Sequence, residues 1–64
     1  KVEVELDGKR SVFLAQADTL EREGNVDDAA VMYLKAAVIS RELGEKVYAE
    51  EFERRAEELK RSKK

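Results

Sequence analysis

The spacing of apolar residues changes near residue 10, and this change divides the chain into two parts. At the start, Val2, Val4 and Leu6 alternate with acidic residues, a period of two that is typical of an extended strand. The following Asp7-Gly8 is a turn signal, but no convincing second strand comes after it. We therefore predict that residues 1–9 form a short extended arm, or the remnant of a preceding domain.

From Ser11 onward the apolar residues recur at helical spacing. Phe13, Ala17 and Leu20 fall at i, i+4 and i+7, so they share one face of a predicted first helix. Gly24 ends that helix, because a glycine can adopt the left-handed conformation beyond a helix end without a side-chain clash.

Two further helices follow the first. Asn25 is the predicted N-cap of the second helix, which runs as far as Gly44. The third begins near Glu45 and ends among the basic residues 60–64, where cations complement the negative end of the helix dipole. Because the connections are short, we predict an all-α fold, a three-helix antiparallel up-down-up bundle over residues 10–64.

The second and third helices differ in how much of their circumference is apolar. The third has one apolar stripe, formed by Tyr48, Phe52, Ala56 and Leu59. On the second helix the apolar arc covers roughly 280° of the helical wheel, more than two flanking helices are expected to cover. We predict that one shoulder of this arc, Val31, Leu34 and Val38, stays partly exposed and binds a partner. The alternative is that the first helix rolls over and covers it.

Composition excludes several classes of function. The 13 basic and 15 acidic residues give a net charge of −2, which supplies no overall field for nucleic acid or an anionic membrane. The chain has no histidine and no cysteine, so we expect no metal, no cofactor and no catalysis. The longest apolar run, 29–34, is too short to span a membrane. No signal-peptide pattern is present, and we expect a cytoplasmic location.

Large and small residues alternate along the first two predicted helices in the pattern Phe13-x-x-x-Ala17-x-x-Leu20-x-x-x-Gly24-x-x-x-x-Ala29-x-x-x-Tyr33-x-x-Ala36. This segment resembles a tetratricopeptide repeat, in which two antiparallel helices carry such a pattern. It implies a helical hairpin with the third helix as a cap. It also implies a concave peptide-binding side on the first helix, with Leu14 as an apolar contact and Asp18 and Glu21 favouring a basic peptide. Gln16 and Arg41 depart from the family pattern, which usually has leucine and often proline there.

A second resemblance is carried by residues 23–30, together with Tyr33, Ala36 and residues 55–60. These segments resemble the microtubule-interacting-and-trafficking domain, a three-helix bundle that binds tails of membrane-remodelling filament proteins. The second and third helices are short for that family, so we prefer the repeat. Both resemblances imply a protein–protein interaction module, an adaptor or scaffold that binds a peptide or helix. The alternative from another class is a self-association element that forms homo-oligomers through the apolar shoulder.

Overall fold

The computed structural model describes residues 2–62 as three α-helices, α1 (Val2–Arg22), α2 (Val26–Glu42) and α3 (Lys46–Ser62). Consecutive helices run antiparallel, and α2 packs against both of the others. Among these residues no Cα atom of α1 lies within 8 Å of one in α3. The helices therefore form a bent layer with α2 in the middle, measuring 41 × 19 × 11 Å, and the all-α three-helix prediction is confirmed.

The predicted extended arm is wrong for residues 2–9, which are the first turns of α1. An alternating pattern also contains an i, i+4 pair, and here Leu6 and Arg10 continue the helix face that meets the rest of the molecule. No second strand is available to pair with an extended segment, whereas a helix satisfies its own backbone. Gly8 lies within the helix, and the first residue lies outside the described part of the chain. The boundary placed between residues 9 and 10 falls inside α1.

The two helix connections are the same turn used twice, as the glycines predict. Gly24 and Gly44 have φ of 85° and 80°, the left-handed conformation that favours glycine. In the first turn the Gly24 and Asn25 amides donate to the carbonyls of Glu21 and Leu20, at 3.1 and 2.8 Å. These bonds satisfy carbonyls at the end of α1 and reverse the chain within three residues. Asn25 occupies the N-cap position of α2, but its side chain makes no capping hydrogen bond.

Small residues bring the three helices together. Four alanines of α2 are fully buried and let the neighbouring backbones approach closely: Ala29, Ala30, Ala36 and Ala37. Ala29 and Ala30 form a core cluster with Ala56 and Leu59 of α3. Larger side chains close the cluster at its edges, namely Leu20, Val26, Tyr33 and Leu34. The core thus consists of two thin interfaces, one between α1 and α2 and one between α2 and α3.

The buried stripe of α3 differs from the predicted one at its first position. Tyr48, expected to be buried, is 53% exposed, and Ala49 is fully buried in its place. Ala49 stands seven residues before Ala56, so those two residues and Leu59 share the face that meets α2. Tyr48 lies about 100° around the helix from Ala49, and its ring stacks on Phe52 instead of entering the core.

Candidate partner-binding surfaces

The predicted shoulder of α2 is partly exposed. Val31 and Val38 are 43% and 56% exposed, and Leu34 between them is half-buried against the core cluster. The three residues fall at i, i+3 and i+7, so they form one stripe along α2, which we call the α2 strip. The alternative, in which α1 covers this shoulder, is wrong for Val31 and Val38.

The other shoulder of α2 is the more covered one. Ile39 is buried, and Met32 and Leu43, which directly follows α2, are half-buried. Met32 borders a cavity that residues of α1 line. Since α1 and α3 occupy the two flanks of α2, the side pointing away from both stays open to solvent. That side carries the two exposed valines.

A cleft of about 230 Å³ opens between α2 and α3 next to Leu34. Leu34 and Ala56 supply its apolar lining, and Glu53, Glu57 and Lys60 supply its polar lining. At its rim the Arg41 guanidinium donates three hydrogen bonds to the Glu53 carboxylate, two from Nη2 at 2.9 Å and one from Nε at 3.1 Å. The α2 strip is therefore continuous with a depression that an apolar side chain could enter.

The charges beside the α2 strip are mixed, but several are already neutralised. Arg41 and Glu53 pair with each other, and the Lys35 ammonium lies 5.6 Å from the centre of the Phe13 ring. The other charged side chains along the strip and cleft are Asp27, Asp28, Glu42, Glu57 and Lys60. Four of these five are acidic, so the surface favours a ligand that carries cations beside its apolar residues.

The three sites predicted on α1 lie apart from the α2 strip. Glu21 faces the groove between α1 and α3, where its carboxylate accepts hydrogen bonds from the Tyr33 hydroxyl at 3.2 Å and from Arg55 at 3.3 Å. Asp18 is exposed and pairs with Arg22 one turn along α1, at 3.2 Å. Leu14 is half-buried. The Glu21 carboxylate is therefore already engaged within the chain, whereas the exposed pair with Arg22 leaves Asp18 accessible to solvent.

A row of aromatic rings lies along the α1–α3 groove. Tyr33 and Tyr48 each stack on Phe52, with ring centroids 6.4 and 6.3 Å apart. Two arginines cover the ends of the row, Arg55 at 5.9 Å from the Tyr33 ring and Arg10 at 5.8 Å from the Tyr48 ring. Burial raises the pKa of the Tyr33 hydroxyl, and the charge of Glu21 raises it further, because both disfavour the phenolate.

Arg10 links α1 to α2 and to the turn before α3, a role that the sequence did not predict. Its guanidinium donates to the buried Ser40 hydroxyl at 3.3 Å, to Glu45 at the start of the third helix and to Asp7 at 2.6 Å. The hydrogen bond to Glu45 is the main reason that the pKa of Arg10 is raised. The available signal was its position seven residues before Ala17, on the face of α1 that meets the other helices.

Within residues 2–62, no group of three or more acidic side chains is placed to hold a metal ion, and none of the helices is long and apolar enough to cross a membrane. Comparison of the chain with protein-family models, with curated proteins and with solved structures gives no match. The resemblances to a tetratricopeptide repeat and to a trafficking domain therefore stay predictions.

Proposed function

We propose that this chain is a protein-interaction module that acts by binding, not by catalysis, and that the α2 strip receives an amphipathic helix of a partner protein. The observation that carries the proposal is the exposure of Val31 and Val38 beside the cleft at Leu34. Apolar residues at i, i+3 and i+7 match the spacing of one face of a second helix laid against them.

The charges around the strip favour a partner helix with basic flanks. An apolar residue entering the cleft would pass close to Glu57, and the two ends of the strip are flanked by Asp28 and Glu42. Arginine or lysine beside the apolar face of the partner would meet these carboxylates, which adds specificity and speeds association. A cytoplasmic tail or linker that becomes helical on binding fits this description.

The same charges disfavour antiparallel self-association through the strip. Consider two copies of α2 that pack antiparallel about a two-fold axis midway between Val31 and Val38. Each flank of the strip on one copy then faces the same flank on the other copy. Lys35 would then lie opposite Lys35 of the second copy, and Asp28 would lie opposite Glu42, so like charges would meet on that flank. On that flank, a partner with basic residues therefore fits the strip better than an antiparallel second copy.

A titration with a designed peptide tests the proposal. The probe is a helical peptide with leucine at i, i+3 and i+7 and arginine on both flanks. Its binding is monitored through the amide NMR chemical shifts of the protein. We expect the shifts to change along the α2 strip and at Glu57, and Val38→Asp to weaken binding at least about tenfold. Val47→Asp is the matched control, because Val47 is 69% exposed at the start of α3 and should bind like the wild type.

Two results would contradict the proposal. Shift changes confined to the α1–α3 groove would place the binding surface on the other face of the molecule. Equal affinity for a peptide whose arginines are replaced by glutamates would remove the role assigned to the acidic rim.

A further inference from the structure

We infer that α1 opens from the α2–α3 hairpin as a separate unit, and that two arginine clips hold it closed. The Arg10 clip is Arg10 with Ser40 and Glu45, and the Arg55 clip is Arg55 with Glu21 and Tyr33. This inference goes beyond the proposed function, because neither clip touches the α2 strip.

The first support is that the large apolar side chains of α1 stay partly exposed. Among its described side chains, residues 5–22, only Ala17 is fully buried, and its larger apolar side chains are half-buried or exposed. Since hydrophobic stabilisation follows the apolar area removed from water, each of these side chains contributes less than full burial would give.

The second support is that α1 is tied across the groove by charged groups. The two helices have no Cα atoms within 8 Å of each other in the described part of the chain, so α1 gains no close backbone packing from α3. The Arg10 clip joins α1 to the turn between α2 and α3, and the Arg55 clip joins the other end of α1 to α3. The clips therefore act at opposite ends of one groove.

The third support is that the Arg55 clip holds α1 by electrostatic attraction between partly exposed side chains. The Arg55 and Glu21 side chains are 53% and 24% exposed, so salt screens their attraction and a charge change removes it. Opening needs a change of backbone direction only in the short turn around Gly24. Glycine has no Cβ and can therefore adopt a wide range of backbone angles. An open α1 would uncover the rings of Tyr33 and Phe52 on the floor of the groove.

Residue-resolved amide hydrogen exchange tests the inference. In Glu21→Gln the side chain keeps its size but loses its charge, and we expect the amides of residues 13–22 to exchange about tenfold faster while those of α2 and α3 change little. Asp18→Asn is the matched control, because Asp18 also loses a charge but pairs only with Arg22 of the same helix. We expect the control to leave exchange in α1 within about twofold of the wild type.

Two further measurements separate opening from loss of folding. The charge reversal Glu21→Arg with Arg55→Glu should restore slow exchange in α1, and raising sodium chloride in the wild type should accelerate α1 alone. The inference is overturned if all three helices accelerate by one factor in Glu21→Gln, since the chain would then open as one unit. It is also overturned if Asp18→Asn has the same effect, or if the double reversal exchanges as fast as either single change.

Discussion

Leu59→Ala measures how much the junction of α2 and α3 contributes to stability. Leu59 is 7% exposed and belongs to the core cluster with Ala29, Ala30 and Ala56. The change removes three carbon atoms that are out of water, about 2.4 kcal/mol at ~0.8 kcal/mol for each. The cavity left behind adds to this, and we expect a loss of about 3 kcal/mol. A domain of this size rarely has more than about 5 kcal/mol to lose, so much of its stability should disappear.

The assay is urea unfolding followed by helical circular dichroism, with thermal unfolding alongside. A loss of about 3 kcal/mol corresponds to a fall in Tm of roughly 12–24 °C for a chain of this length. Val47→Ala is the control, because Val47 is 69% exposed and the change should stay within about 0.5 kcal/mol. A loss below about 1 kcal/mol for Leu59→Ala would mean that α3 does not dock on α2 as described.

Two further predictions concern glycine and pH. Gly8→Ala should raise the free energy of unfolding by roughly 0.5–1 kcal/mol, because Gly8 is helical and has open space where a Cβ would lie. Gly24→Ala should lower the free energy of unfolding by roughly 1–2 kcal/mol, because Gly24 has a positive φ. Equal urea midpoints for the two variants would refute this. The raised pKa of Tyr33 means that its neutral form stabilises the fold below about pH 10, where an unfolded tyrosine ionises, and that this contribution is lost as the pH rises through the folded pKa. Unfolding free energies from pH 8 to 11 should therefore fall more steeply for the wild type than for Tyr33→Phe, and parallel curves would contradict the assignment.

The three helices and the two turns between them could be predicted because the relevant signals are local. Gly24 and Gly44 mark the two turns, and the spacing of Phe13, Ala17 and Leu20 gives the face of α1. The exposed strip followed from a count of apolar positions around α2, which exceeds what two neighbours can cover. These features depend on a few residues at fixed spacing.

What the sequence did not reveal depends on contacts between distant residues. Residues 2–9 alternate like a strand, but they form the first turns of α1, and the Arg10 that follows them is anchored at Glu45. Glu21 looks like a free receptor for a basic peptide, until folding brings Arg55 from 34 residues away to pair with it. Neither pairing is visible in periodicity or composition.

The most direct test of the account is whether the α2 strip is open to solvent in the free protein. The chain has no cysteine, so a single introduced thiol reports on one position. We expect Val38→Cys to react with a thiol reagent nearly as fast as in the unfolded chain, and Ala37→Cys, at a buried neighbouring position, to react at least about 100-fold more slowly. Equal and strong protection of both thiols, independent of protein concentration, would show that the strip is covered within the monomer and would remove the basis for a docking surface there.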